Sequence, residues 1–203
     1  MNFIITGIGT GIGKTFCSAV ICEALGLDYW KPIQSGELDN LDSDFVRNNT
    51  SERTIHSERF LLTEPLSPHE SARIDGIELE IKDFAIPIFE KGTLIEGAGG
   101  LMVPLNDKND VYLDVFMNWN LPLFVVTKHY LGSINHTLLT IETLLSKGLT
   151  IQSLVVNGER NEASERIYKS RFPKLKITYI TELEDITKES IHKIAVEWKA
   201  QIG

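Results

Sequence analysis

Short apolar runs bounded by glycine, proline and polar residues alternate along the chain with segments whose apolar residues recur every three or four positions. The runs predict strands at 3–6, 29–31, 93–95, 121–126, 154–156 and 177–180. The three-to-four spacing predicts helices at 14–25, 44–48, 68–74, 81–89, 111–117, 134–145, 163–170 and 188–198. Because the strands are almost continuously apolar, both of their faces are expected to be covered. Strand and helix in alternation then imply an α/β fold, a mostly parallel sheet with right-handed crossovers and helices on both faces. Residues 36–68 interrupt the alternation and are expected to form an excursion. No internal repeat or low-complexity linker divides the chain, and its 203 residues are read as one domain, 1–203.

In such sheets ligands bind beyond the carboxyl ends of the strands, so the residues behind each apolar run are the ones that matter. Behind the first lies Gly7-Ile8-Gly9-Thr10-Gly11-Ile12-Gly13-Lys14-Thr15, directly ahead of a helical pattern. Glycines there let backbone N–H groups turn around an anion at a helix N-terminus, the lysine adds a mobile positive charge, and the threonine hydroxyl suits Mg²⁺. The pattern G-x-x-x-x-G-K-[ST] is missed by one residue, because Ile8 stands at its first glycine. The strand before and the helix after supply the required context, and the stretch reads as a variant phosphate-binding loop.

The second strand ends in Lys31-Pro32-Ile33-Gln34-Ser35-Gly36, where the proline holds Lys31 in extended backbone and the strand-end rule places it beside the loop. Asp42-Ser43-Asp44 is either a helix-capping arrangement or a source of ligating carboxylates. Leu94-Ile95-Glu96 breaks into Gly97-Ala98-Gly99-Gly100, leaving an acid at the lip of a buried strand. Mg²⁺ takes oxygen ligands, commonly one or two carboxylates together with phosphates and waters, and Thr15, Asp44 and Glu96 are the donors assigned. Thr127-Lys128-His129-Tyr130 imitates a guanine-reading N/T-K-x-D signature with Tyr130 in place of the aspartate. Asn157, before Gly158, is either a turn residue or a base contact, since its amide both donates to and accepts from an adenine edge. The five histidines lack metal-ligand spacing and are read as structural or solvated, with His69 left open.

Charge narrows the partners. With 20 Lys and Arg against 28 Asp and Glu, the net charge of -8 opposes a broad nucleic-acid surface. No apolar run approaches the roughly 20 residues that span a bilayer, and no basic leader precedes the first strand, so a cytoplasmic protein is expected. Cys17 and Cys22 fall about 7.5 Å apart along one helix with side chains on different faces, which excludes a disulfide between them.

Five stretches in order carry a family resemblance: Gly13-Lys14-Thr15; Lys31-Pro32-Ile33-Gln34-Ser35-Gly36; Pro65-Leu66-Ser67-Pro68-His69; Glu96-Gly97-Ala98-Gly99-Gly100-Leu101-Met102-Val103-Pro104; and Leu131-Gly132-Ser133-Ile134-Asn135-His136. They resemble the dethiobiotin synthetases, a family of ATP-dependent ligases with a P-loop NTPase fold that close the ureido ring in biotin biosynthesis. The resemblance implies ATP and Mg²⁺ as cofactors, catalytic roles for Lys14 and Lys31, and nucleotide contacts from Gly11, Ile12, Gly13, Lys14, Thr15, Phe16 and Asn157. It also implies that 7,8-diaminononanoate meets Thr10, Lys31 and Ser35, and that its distant carboxylate meets the helix N-terminus at Gly132, Ser133, Ile134 and Asn135. The implied assembly is a homodimer in which that terminus serves the partner's phosphate loop.

Two departures stand out. The family usually carries an aspartate where this chain has Gly9, and a proline after its penultimate strand where this chain has Thr181. Gly9 is also the place at which partition-type ATPases carry a second lysine, and cobyrinate-type synthetases append a glutaminase domain for which 203 residues leave no room.

Overall fold

A computed structural model describes residues 1–202; Gly203, the last residue of the expected domain, lies outside the described residues. In chain order the elements are β1 (Phe3–Gly7), α1 (Lys14–Leu25), β2 (Asp28–Trp30), β3 (Ile33–Ser35), α2 (Asp42–Asn49), β4 (Ile55–His56), β5 (Phe60–Leu62) and α3 (Pro68–Ile74). After a single 3₁₀ turn (Ile81–Phe84) come β6 (Thr93–Glu96), α4 (Tyr112–Trp119), β7 (Leu123–Thr127), α5 (Ser133–Ser146), β8 (Ile151–Asn157), α6 (Glu162–Arg171), β9 (Ile177–Ile180) and α7 (Lys188–Ile202).

Seven strands form one all-parallel sheet in the order β4-β2-β6-β1-β7-β8-β9. The most apolar strand segments sit at its centre: Ile4 and Ile5 of β1, Leu123 to Val126 of β7 and Leu154 to Val156 of β8 have no exposed surface. A β1-α1-β2 crossover runs one way from the centre and β7-α5-β8 the other. With right-handed crossovers these helices lie on opposite faces, and α1 accordingly packs with α2 and α7 while α5 packs with α6. The expected α/β architecture is therefore present. The carboxyl end of β1, and with it the phosphate loop, stands where strand order reverses.

Three short strands escaped the sequence pattern because two or three residues hold no measurable period. The excursion at 36–68 is not irregular: it carries α2, adds β4 to the sheet edge beside β2, and pairs β5 with β3 as a second, two-stranded parallel sheet. One expected helix fails. Over 81–89 only the 3₁₀ turn forms, because Pro87 disfavours helical backbone at Ile86 and the Phe84 carbonyl accepts from Trp119 Nε1 at 2.6 Å. Both cysteines are buried and free, with burial pushing their thiols up.

Candidate active site

The phosphate loop depends on two neighbours. Gly13, the residue before α1, has φ 84°, and a Cβ there would stand 2.2 Å from Asn157 Nδ2, so a larger residue is barred by backbone and space together. Asn157 reaches in from the end of β8 and donates through Nδ2 to the Ile12 carbonyl at 2.9 Å, leaving its buried Oδ1 without a partner. Lys14 opens α1 as a buried side chain whose Nζ donates to the Gly9 carbonyl at 3.0 Å. Burial lowers its pKa to about 8, against the pull of Glu96 and with Lys31 pushing the same way as burial.

Glu96 ends β6 with no exposed surface. Its Oε1 accepts from Thr15 Oγ1 at 3.1 Å, and its Oε2 accepts from Ser18 Oγ at 2.5 Å and Tyr29 OH at 2.9 Å. Lys31 Nζ stands 3.6 Å from Oε1 and is paired on its other side with Asp42. Burial, and then the Glu96 charge, raise the Tyr29 phenol well above its usual range, so it stays a donor. A buried acid is thus satisfied by three hydroxyls and an ammonium, the condition for keeping a charge inside a protein.

Asp44 is not part of this cluster. It sits at the third position of α2, half-exposed and paired with Arg47, whereas Asp42, the first residue of the helix, faces Lys31. Two residues along a helix rotate a side chain by roughly 200°, so only one of the two aspartates can face inward. The helix was legible in the sequence, but its inward face was not.

A cavity of 680 Å³ opens over these groups, lined by Thr10, Gly11, Gly13, Lys14, Thr15, Lys31, Ser35, Asp42 and Glu96, with Glu37 and residues 65–68 closing its outer wall. Ser35 Oγ is buried there without a partner. Ile12, Phe16 and Asn157 lie outside it: Ile12 is buried in the core, Phe16 packs against that core, and Asn157 sits beneath the loop. Gly132 to Asn135 lie at the N-terminus of α5, away from this cavity. Ser133 is buried and closes a turn, donating through its amide to Tyr130 O at 3.0 Å and accepting from Tyr130 N at 3.3 Å, which leaves Ile134 and the exposed Asn135 at the free first turn. A second groove of 380 Å³ runs from Ile8 along α5 past His136 and Leu139. His69 Nδ1 is 2.9 Å from Ser67 Oγ, so this histidine orients a cavity-wall hydroxyl.

Residues 1–190 match the AAA domain family. The ATP-dependent dethiobiotin synthetase BioD of Christiangramia forsetii is 44% identical over 194 residues, 95% of this chain and 92% of that protein. The namesake protein of Brucella ovis is 40% identical over 193 residues, 94% of this chain and 91% of its own. The chain belongs to the dethiobiotin synthetase family. Its relatives are ATP-dependent cyclo-ligases of biotin biosynthesis, forming carbon–nitrogen bonds. Among solved structures, the septum site-determining protein MinD of Pyrococcus horikoshii, complexed with Mg-ADP, shares the fold at TM-score 0.57 and 15% identity, covering all of this chain and 94% of its own. A ParA family ATPase from Chlorobium tepidum does so at 0.54 and 15%, with 98% of each chain covered.

Within this dethiobiotin synthetase framework, sequence reasoning missed Ser18 and Tyr29, which hold Glu96, and Asp42, which holds Lys31. Ser18 had a signal: three residues beyond Thr15 on a helix, it shares the face of that threonine. Tyr29 had none, because its reach to Glu96 depends on β2 lying beside β6. No helix among the described residues is long and apolar enough to cross a membrane.

Proposed function

We propose that this chain, acting as one domain, converts 7,8-diaminononanoate, CO₂ and ATP to dethiobiotin, ADP and phosphate. The observation that carries the reading is the convergence of Lys14, Lys31 and Ser35 on one cavity with the Thr15, Asp42 and Glu96 oxygens. One substrate amine forms a bond to the carbon of CO₂ and loses a proton; Lys31 offsets the carbamate charge, and the unpartnered Ser35 hydroxyl donates to the same group. As a carbamate oxygen takes the γ-phosphoryl group of ATP and ADP leaves, Lys14 leaves the Gly9 carbonyl to neutralise charge on the transferring oxygens. The second amine then attacks the carbonyl carbon and phosphate departs, closing the ring.

Among the described residues no three His, Cys, Asp or Glu side chains converge as a metal cage. Mg²⁺ does not require one, and the all-oxygen set of Thr15, Glu96 and Asp42 fits it in company with nucleotide phosphates. Bound there, Mg²⁺ supplies further neutralisation of phosphate charge. The free Oδ1 of Asn157 fits an adenine amino donor while its Nδ2 holds the loop.

The test is incubation with diaminononanoate, bicarbonate and MgATP; diamine-dependent phosphate release with a ring-closed product supports the reading, and its absence overturns it. In the same assay Asp42→Asn is expected to raise the Mg²⁺ requirement about tenfold, since one charge leaves the proposed donor set. Asp44→Asn, on the outer face of α2, is expected to leave it unchanged. Equal Mg²⁺ titrations for the two variants would remove Asp42 from the metal site.

We further infer a cytoplasmic homodimer in which the α5 N-terminus receives the substrate carboxylate for the partner's loop; free first-turn amides at Ile134 and Asn135 suit an anion. The exposed Asn135 is the place to test this, because a charge at the buried Ser133 would disturb the turn. Asn135→Glu and Lys14→Ala homodimers are each expected to be nearly inactive. Refolded together in equal amounts they should recover roughly a quarter of wild-type activity, since half of the dimers are mixed and each has one intact site. No recovery, with mixed dimers confirmed by mass spectrometry, would place the site within one chain.

A further inference from the structure

A substrate carrying two amines brings positive charge to this cavity, and the counter-charge has to come from somewhere. The phosphate loop, residues 7–15, contains no acid. Three carboxylates line the cavity: Glu37, Asp42 and Glu96. Asp42 is paired with Lys31, and Glu96 is held by Thr15, Ser18, Tyr29 and Lys31. Glu37 alone has neither a cationic nor a hydrogen-bonding side-chain partner among the described residues.

The chain also holds Glu37 in place at a cost. Its φ is 53°, a left-handed conformation that an L residue with a long side chain seldom adopts, of order 1 kcal/mol unfavourable. The turn that imposes it is pinned: a Cβ on Gly36 would lie 2.6 Å from Pro65 Cα, so Gly36 and Pro65 are in near contact, and the Glu37 carbonyl accepts from Asn40 N at 2.9 Å. A glycine would relieve the strain, yet a carboxylate stands there, two residues beyond Ser35 on the wall of the same cavity.

Taking the proposed reaction as given, we propose that Glu37 is the residue that binds the ammonium of the diamine and so sets the preference for a doubly aminated substrate. It acts from the rim, where water screens the pair, so its effect falls on substrate binding and leaves the phosphate-handling groups untouched.

The experiment compares wild type with Glu37→Gln and Glu37→Gly in the ring-closure assay, alongside inhibition by the analogue bearing a single amino group. Both variants are expected to raise KM for the diamine about three- to fivefold, with kcat and KM for ATP within about 1.5-fold of wild type. The advantage of diamine over monoamine binding is expected to shrink in both. Glu37→Asp is expected to restore part of the diamine affinity. Because Glu37→Gln preserves shape and strain while Glu37→Gly relieves strain, a purely structural role would change diamine binding in Gly only. Unchanged diamine KM in Glu37→Gln overturns the assignment. A wild type that fails to turn over the diamine overturns the proposed function instead, and so the two failures are distinct.

Discussion

At pH 7, Lys14→Met is expected to cut diamine-dependent phosphate release at least about a hundredfold and, at the same time, to raise the thermal midpoint of the ligand-free protein. The first effect follows from losing the one cation of the phosphate loop that is free to follow charge onto the transferring oxygens. The second follows from burial. Lys14 has its pKa lowered from 10.5 to about 8, so the unfolded chain binds this proton more tightly than the native one. Between those two values the unfolded state carries more protons, and native stability therefore rises with pH; below pH 8 the native protein bears the whole cost of a buried ammonium. Removing the ammonium should stabilise the ligand-free protein by about 1 to 3 kcal/mol at pH 7, offset in part by the lost bond to Gly9. The advantage of the variant should shrink as pH rises from 8 toward 10.5, which thermal melts at pH 7 and pH 9.5 will show. Equal melting of both proteins at pH 7 would mean that the loop carbonyl already compensates the charge.

Glu96→Gln should produce the largest loss of stability, although it changes only one atom. Two hydroxyls converge on Oε2, and Thr15 and Lys31 approach Oε1, so an amide NH₂ must face a donor whichever way it turns. Lys31 keeps Asp42 but loses its buried partner. Breaking one side of a buried pair costs roughly 2 to 4 kcal/mol here, readable as a lower urea midpoint. Glu96 also raises the pKa of Lys14. Without it, that pKa falls below about 8, and the alkaline limb of the pH–rate profile should move toward neutrality. The Mg²⁺ requirement should rise as well. An unshifted limb with a raised Mg²⁺ requirement would assign Glu96 to the metal and not to Lys14.

The two experiments bear on different parts of what was legible beforehand. Lys14 was readable because a loop between an apolar strand and a helix is a local object, and everything needed to see it lies within residues 3–25. Glu96 was readable as an acid at a strand end and as a companion of Thr15, but the Tyr29 hydroxyl that holds it was not, because it comes from a strand placed beside β6 by the fold.

Local periodicity by itself determined that the chain alternates strands and helices and that its central strands are buried on both faces, and the glycine-lysine-threonine motif behind the first of them marked the loop. Side-chain spacing along one element is enough to carry those statements. Only tertiary structure decided that Asp42 and not Asp44 meets Lys31 and that β5 pairs with β3 in a second small sheet beside the cavity; at 81–89 the fold added the Trp119 bond to a break that Pro87 already marked. It also decided that Asn157 and Gly13 require each other. The physical reason is the same in each case: the rotation of a two-turn helix, the pairing of a three-residue strand and the approach of the Asn157 amide to a glycine 144 positions away in sequence are set by what packs against them, and no run of neighbouring residues encodes it.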